Sequence, residues 1–285
     1  MYRENSAKRV SGKIGKIFPL AFMYLFLTLL LLICVLPFLL VLINSTHTSI
    51  DIVTRLNLTF GTALSENYEK MQSSVNIWQG FGNSLMISVP FTALTGYFSA
   101  LTAYGFSKYR FKGNKVLFWV VLFSMMLPSQ LSIIGFYQLN LKLSLLNSFL
   151  PFILPGMANA TAVFFLKGMI EQSIPDSLIE AGRIEGSSEI HIFNRLILPC
   201  IMPGVATMCI FNFVSSWNNY LGPLVIMTDN AKFPMPVMIA MIKGLYQTNY
   251  GALYLAIAIS VVPIIIVYIF LSRYIISGLT LGAEK

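Results

Sequence analysis

Residues 180–199 read EAGRIEGSSEIHIFNRLILP and hold regularly spaced charges in a chain that otherwise carries few of them. Long apolar runs precede and follow this stretch, so we expect it to connect two membrane spans rather than to cross the membrane itself. Two short amphipathic helices are expected to meet at Gly186. The second begins at Ser187 or Ser188, whose hydroxyls suit an N-cap, and ends near Pro199.

The composition around this stretch is that of a membrane protein. Of 285 residues, 56% are hydrophobic and 11% are charged, whereas soluble domains carry about 25% charged residues. Six intervals lack Asp, Glu, Lys and Arg, and each can hold the roughly 20 residues of a membrane-spanning helix. They are Ile17–Ile50, Met71–Ser107, Val116–Leu141, Leu143–Leu166, Leu196–Thr228 and Gly244–Ser272. We therefore predict an all-α membrane protein with six transmembrane helices; a soluble core is the remote alternative.

The basic residues predict the orientation of these spans, because cytoplasmic segments carry an excess of Lys and Arg. If the N-terminus is cytoplasmic, 14 of the 19 Lys and Arg residues lie inside. The outside segments then hold only Arg55, Lys70, Lys142, Lys232 and Lys243. Both termini are therefore expected in the cytoplasm. The net charge of +8 is explained by this topology and requires no nucleic acid.

The expected organisation follows from the spans. It comprises a cytoplasmic N-terminal segment (1–17), a first transmembrane helix (18–43), an extracytoplasmic loop (44–79), a membrane core (80–275) that contains a cytoplasmic loop (171–200), and a cytoplasmic tail (276–285). Proline and adjacent polar groups predict interrupted helices in span three, at Pro128, and in span four, at Pro151, Pro155 and Asn159.

Two spans carry polar faces at helical spacing. In span two the face consists of small hydroxyl residues: Ser84, Ser88, Thr92, Thr95, Ser99 and Thr102. We interpret it as a packing seam between helices, with a water-lined pathway as the alternative. In span five the face consists of Asn212, Ser215, Ser216 and Asn219.

No catalytic residue, metal site or cofactor site is predicted. The sequence has no GxxxxGK[ST] motif, and His47 and His191 have no partners at metal-ligand spacing. Paired carboxylates are also absent, which argues against an enzyme acting on lipid-linked substrates. The spans lack acidic and basic residues, which disfavours proton- or sodium-coupled transport. If the chain drives a solute uphill, the energy must reach it from outside, through the cytoplasmic loop.

The cytoplasmic loop resembles a known family. Glu180-Ala181-Gly182, Gly186 and Ile197-Leu198-Pro199 resemble the EAA loop of inner-membrane permease subunits in ABC importers, with Gly182 replacing an alanine. We call residues 171–200 the EAA loop. Other strings are similar to the carbohydrate-uptake branch that contains the maltose permease G protein; they include Asn83-Ser84, Ala103-Tyr104, Leu145-Leu146-Asn147-Ser148, Ser216-Trp217-Asn218 and Gly278-Leu279-Thr280.

The resemblance implies a type-1 ABC importer (MetI-like) permease architecture in a bacterial cell membrane. It also implies a second homologous permease subunit in a heterodimer, two cytoplasmic ATPase subunits, an extracytoplasmic solute-binding protein and a sugar substrate. The residues expected to couple to the ATPase are Glu180, Ala181, Gly182, Arg183, Gly186 and Pro199. A tail that reaches toward the ATPase would contain Gly278, Leu279, Thr280 and Gly282, and the segment Asp229–Asn249 would face the binding protein.

A translocation path is expected along polar side chains of spans four and five, although the main sugar site is expected on the partner permease. The path residues are Asn159, Asn212, Ser215, Ser216 and Asn219. Three alternatives stay open: Glu180 only pairs with Arg183 within the loop, the solute is not a sugar, or the chain is a non-transporting scaffold. No motif specifies which sugar is carried.

Overall fold

The computed structural model describes the backbone of residues 2–243 and 248–283 and the side chains of 20–128, 131–243 and 248–274. The regular elements in these ranges are helices. The first seven are α1 (Tyr2–Asn44), α2 (Ser49–Thr54), α3 (Leu64–Ser74), α4 (Ile77–Lys108), α5 (Asn114–Met125), α6 (Ile133–Lys142) and α7 (Leu150–Ile153). The next eight are α8 (Ala160–Ser173), α9 (Asp176–Ile184), α10 (Glu189–Ile192), α11 (Leu198–Cys200), α12 (Met202–Trp217), α13 (Leu221–Ile226), α14 (Met235–Met241) and α15 (Tyr250–Ala283). Short 3₁₀ segments cover Ser129–Ser132, Leu154–Ala158 and Asn230–Lys232, and a π-helical segment covers Phe193–Ile197.

Four stretches of the described residues are long and apolar enough to cross a membrane. They are Leu20–Asn44, Ile77–Lys108, Leu150–Ser173 and Tyr250–Tyr274. A fifth results if Glu189–Cys200 and Met202–Trp217, which are bent by 80°, are counted together. The described part of the chain is thus helical and contains several stretches with the length and hydropathy of membrane spans. The predicted third span is divided between α5, of 12 residues, and α6.

The breaks expected at Pro128 and Pro155 are present in the structure, whereas Pro151 lies in the first turn of α7 and does not interrupt it. Pro128 is extended between α5 and the following 3₁₀ segment, and Pro155 lies in the 3₁₀ segment between α7 and α8. Because proline lacks an N–H and clashes with the preceding turn, neither helix continues through its proline. Asn159 then restarts the helix by accepting a hydrogen bond from the Ala162 amide at 2.9 Å.

The predicted polar face of span five is wrong in one respect. Helix α12 ends at Trp217, with Asn218 as its C-cap, so Asn219 is not on the helix that carries Asn212. The side chain of Asn219 instead accepts a hydrogen bond from the Gly222 amide at 3.3 Å. Such local bonding by Asn competes with continuation of the helix.

The structure separates into two compact units. One consists of the described residues of 1–71 and 244–258. Within it, the Asn67 amide donates to the carbonyl oxygens of Ser45 (2.8 Å) and His47 (2.9 Å). A Cβ atom at Gly251 would lie 2.2 Å from Asn67 Oδ1, so the absence of a side chain there makes room for Asn67.

The other unit consists of 72–243 and the described residues of 259–285, and α4 is its central helix. Most of the predicted hydroxyl face of α4 is buried, including Ser88, Thr95 and Ser99. Neighbouring backbones approach closely, since a Cβ atom at Gly156 would lie 2.6 Å from the Phe91 carbonyl oxygen. This burial supports the interpretation of the face as a packing seam.

Candidate functional site

The EAA loop forms two helices that meet at Gly186, as predicted. Gly186 has a φ of +77°, in the left-handed region. The Ser187 amide donates to the Gly182 carbonyl (3.1 Å) and the Gly186 amide donates to the Arg183 carbonyl (3.0 Å). These two bonds form a Schellman motif, which satisfies the last carbonyl groups of α9. The turn between the helices is therefore determined by local hydrogen bonds.

The second helix of the loop begins as predicted and is not straight. The Ser188 hydroxyl caps α10 by accepting from the His191 amide at 3.4 Å. The helical path continues through the π-helical segment and α11 and ends at Cys200, one residue after Pro199. It then bends by 80° into α12. Pro199 is exposed, within α11.

The predicted coupling residues fall into two groups by exposure. Those on the surface are Glu180, Ala181, Arg183, Gly186 and Pro199. Gly182 is buried instead: a Cβ atom there would lie 3.0 Å from Ile192 Cγ1 and 3.2 Å from Leu196 Cδ1. Gly182 therefore allows α9 to approach the helix that follows it, and it adds nothing to the exposed surface.

Two exposed apolar side chains lie on either side of Gly186, and sequence reasoning missed both. Ile184 is 87% exposed and Ile190 is 55% exposed. Isolated isoleucines in a helical loop are ordinarily assigned to the buried face, here formed by Ile179 and Ile192. Their exposure could have been predicted from their position next to the turn and away from the buried face of Ile179 and Ile192.

A polar network connects the EAA loop to the end of α4. Arg183 Nε donates to Glu189 Oε1 at 2.7 Å, so the carboxylate partner of Arg183 in the described residues is Glu189 rather than Glu180. Glu189 Oε2 accepts from the Tyr109 hydroxyl and from the Tyr104 hydroxyl at 3.3 Å. Burial raises the pKa of Tyr109, which keeps its hydroxyl protonated as a donor.

A second connection lies at the beginning of α9. Lys108 Nζ, on a side chain that is 9% exposed, donates to the Ile174 carbonyl and to Asp176 Oδ1, both at 2.6 Å. The hydrogen bond from Lys108 lowers the pKa of the Asp176 carboxyl. The carbonyl belongs to the C-cap residue of α8, where a cation is favourable. One lysine of α4 thus holds the junction between α8 and α9.

The candidate path residues are only partly brought together. Asn159 Nδ2 donates to Asn212 Oδ1 at 2.7 Å, and Asn212 Nδ2 donates to the Met208 carbonyl at 2.8 Å. Ser215 is exposed and Ser216 is half-buried. Trp217 is buried, and its indole donates to the Ser260 carbonyl at 3.0 Å, which assigns this member of the Ser-Trp-Asn string to packing.

The segment that follows α13 is held by side chains from two other elements. Asn147, which has a φ of 57°, accepts hydrogen bonds through Oδ1 from the Thr228 amide (3.4 Å) and the Asp229 amide (3.2 Å). Asn83 Nδ2 of α4 donates to the carbonyls of Ala231 (2.9 Å) and Phe233 (3.0 Å). These side chains therefore hold the backbone of the first part of the segment Asp229–Asn249 in place.

Two predicted sites lie partly outside the described residues. The side chains of Gly278, Leu279, Thr280 and Gly282 lie outside the described residues, although the backbone there is part of α15. Residues 244–247, within the segment Asp229–Asn249, also lie outside them. Across the part of the chain that the structure describes, no cluster of three or more His, Cys, Asp or Glu residues suits a metal ion.

Comparison with known proteins identifies the family of this helical membrane protein. Residues 92–280 match the family described as binding-protein-dependent transport system inner membrane component. The arabinooligosaccharides transport system permease protein AraQ of Halalkalibacterium halodurans is 38% identical over 208 residues, which cover 73% of this chain and 74% of AraQ. AraQ of Bacillus subtilis is 31% identical over 265 residues, which cover 92% of this chain and 94% of that protein.

A solved structure has the same fold. It is a chain of a bacterial ABC transporter involved in the import of the acidic polysaccharide alginate, with a TM-score of 0.77 and 21% identity, and the match covers 91% of this chain and 96% of that one. The expected resemblance to permease subunits of the carbohydrate-uptake branch is thereby confirmed. The chain belongs to the family of inner-membrane components of binding-protein-dependent transport systems.

Proposed function

We propose that this chain is a permease subunit of a bacterial ABC importer that takes up a sugar or an oligosaccharide by alternating access. Two separate cytoplasmic ATPase subunits bind the EAA loop and supply the energy. A second, homologous permease completes a heterodimer in the cell membrane, and an extracytoplasmic binding protein delivers the solute. The AraQ relatives, which are named for arabinooligosaccharide transport, support a carbohydrate substrate.

The proposed topology has six spans with both termini in the cytoplasm. The six charge-free intervals support the number of spans, with α5 and α6 together forming the broken third one. The distribution of Lys and Arg supports the orientation. In this topology the EAA loop faces the cytoplasm, and Asn147 and the segment after α13 face the binding protein.

The observation that carries the docking proposal is the exposed tip of the EAA loop. Ile184, Gly186 and Ile190 form this tip, on a turn that local hydrogen bonds already hold. Because hydrogen bonds within the loop hold the turn, its tip is preorganised, which reduces the entropy cost of binding an ATPase subunit. The Glu180 carboxylate and Arg183 guanidinium provide polar contacts beside the apolar tip.

The remaining predicted sites take supporting roles in this proposal. The tail with Gly278, Leu279, Thr280 and Gly282 extends toward the ATPase dimer. The amide pair of Asn159 and Asn212, with Ser215 and Ser216, contributes to a polar path for the solute. The hydrogen bond between the two amides supports a shared surface of α8 and α12 along this path.

The substitution Gly186→Val tests the docking proposal. Valine at a positive φ costs about 1–2 kcal/mol, and its side chain projects from the tip, where no described atom beyond the adjacent residues lies within 4 Å. The matched control is Gly113→Val, because Gly113 has a φ of +89° and equally open surroundings in the turn before α5. We expect both variants to lose similar stability and only Gly186→Val to lose import per ATP hydrolysed in proteoliposomes. Equal import by the two variants would contradict ATPase docking at this tip.

Another solute delivered by a binding protein is the alternative substrate, and a non-transporting scaffold is the alternative of a different class. The complete assembly, offered a panel of labelled sugars and non-sugar solutes together with its binding protein, separates them. ATP-dependent uptake of a sugar supports the proposal. ATP hydrolysis that the binding protein stimulates only with a non-sugar solute supports the first alternative, and absence of any ATP-dependent uptake supports the second.

A further inference from the structure

We propose that Glu189 fastens the EAA loop to the end of α4, so that α9, α10 and α4 move as one body when the ATPase subunits move the loop. This inference deepens the proposed function and rests on it. Glu189 would be a positioning residue, because it acts through the helices that it joins. It was not among the coupling residues expected from the family resemblance.

The Glu189 carboxylate is shared by side chains from both elements. Oε1 accepts from Arg183 of α9 at 2.7 Å. Oε2 accepts from the hydroxyls of Tyr109, the C-cap residue of α4, and of Tyr104, one turn earlier. Hydrogen bonds to an ionised group are roughly twice as strong as neutral ones. One carboxylate at the start of α10 therefore connects both helices of the loop to α4.

Aromatic packing fixes the tyrosines that reach Glu189. Tyr104 stacks on the fully buried Phe193, with ring centroids 5.8 Å apart, and meets the Tyr109 ring edge-on at 5.4 Å. The Arg183 guanidinium lies 5.7 Å from the centre of the Tyr109 ring, and Asn114 Nδ2 donates to the Tyr109 carbonyl at 2.9 Å. These contacts orient the Tyr104 and Tyr109 hydroxyls independently of their hydrogen bonds to the Glu189 carboxylate.

Lys108 provides a second connection, at the opposite end of α9. It reaches the Ile174 carbonyl and the Asp176 carboxylate. With Lys108 at the start of α9 and Glu189 beyond its end, a displacement of α9 pulls α4 along instead of pivoting away from it. Arg183 and Glu189 are 44% and 43% exposed at the side chain, so their pair is expected to add little to stability. Its role in this arrangement is to transmit movement.

The test compares Glu189→Gln and Tyr109→Phe with wild type in the complete transporter, reconstituted with its ATPase subunits, partner permease and binding protein. Both substitutions preserve shape and remove, respectively, the charge and one hydroxyl donor. Glu66→Gln is the matched control, because it makes the same change in the Lys70–Glu66 pair on α3. The measurements are ATPase co-purification, the melting temperature, and solute imported per ATP hydrolysed.

For Glu189→Gln we expect solute imported per ATP to fall about tenfold, the size of a typical coupling free energy between two sites, because part of the movement of the loop is no longer transmitted to α4. Co-purification and melting temperature should stay unchanged, and Tyr109→Phe should shift the import ratio in the same direction. A wild-type ratio in Glu189→Gln would overturn the inference. So would loss of the ATPase subunits or of thermal stability, because Glu189 would then act in docking or folding. If the wild-type chain itself retains no ATPase subunit, the proposed function fails instead.

Discussion

Ile184 is 87% exposed, more than any other large apolar side chain that the structure describes. Its neighbour along the helix, Gly182, is buried against Ile192 and Leu196. Helical periodicity places the two on different faces of α9. At the scale of single residues, the EAA loop therefore has an inner face that packs on its own chain and an outer tip that is available to a partner.

Replacing Ile184 by serine should weaken ATPase binding about 10- to 100-fold, because burying an isoleucine contributes about 1.5–3 kcal/mol. Stability should hardly change, since the side chain makes few contacts within the chain. Titration of the reconstituted permease pair with purified ATPase subunits measures the affinity. Ile50→Ser, at a 75% exposed isoleucine of α2, is the control. An unchanged affinity for the Ile184 variant would exclude this side chain from the docking surface.

At the scale of elements, the connection between α6 and α7 determines where the segment after α13 lies. Ser144 and Asn147 both adopt left-handed backbone conformations, with φ of 56° and 57°. Asn147 also donates its amide to the Ile226 carbonyl at 3.0 Å and accepts from Lys232 Nζ through its own carbonyl at 2.8 Å. Asn147 thereby joins the connection between α6 and α7 to the segment that follows α13.

Replacing Asn147 by alanine should lower the free energy of unfolding by about 2 kcal/mol, because two side-chain hydrogen bonds are lost and alanine is strained in this conformation. Asn147→Gly loses the same bonds without the strain, so its loss should be smaller by about 1 kcal/mol. Thermal unfolding of the purified protein in detergent should rank wild type first, glycine second and alanine last. If the alanine variant were as stable as the glycine variant or more stable, the left-handed backbone at position 147 would not be retained.

At the scale of the whole molecule, topology decides which face of the protein each partner meets. The charge pattern predicts that Lys112 lies inside and Lys142 outside. These residues flank the predicted third span, which is the span that length alone identifies least clearly, since α5 has 12 residues.

Single cysteines at these positions should react with a membrane-impermeant reagent on opposite sides. In a background with Cys34, Cys200 and Cys209 replaced, Lys142→Cys should be labelled in intact spheroplasts. Lys112→Cys should be labelled only after permeabilisation, because the basic loop remains inside. Labelling of both in intact spheroplasts would mean that α5 and α6 do not cross the membrane together.

The sequence by itself determined the class of the protein and the position of its polar loop. Each of these features depends on local chemistry. Charge-free intervals avoid the cost of removing charges from water, and prolines interrupt helices because they lack an N–H. The Gly186 turn forms because glycine tolerates a left-handed φ. The helical class, the breaks at Pro128 and Pro155, and the Ser188 cap could all be predicted on these grounds. They require no knowledge of which elements are neighbours.

Only the tertiary structure decided which partner each polar side chain uses. Arg183 pairs with Glu189 instead of Glu180, and Glu189 also meets Tyr109, 80 residues earlier in the chain. Asn219 leaves its predicted face because it bonds to the next helix, and Ile179 and Ile192 are buried within the loop while Ile184 is exposed. Periodicity predicts the face of a helix, but the packing of distant elements determines whether that face is buried or available.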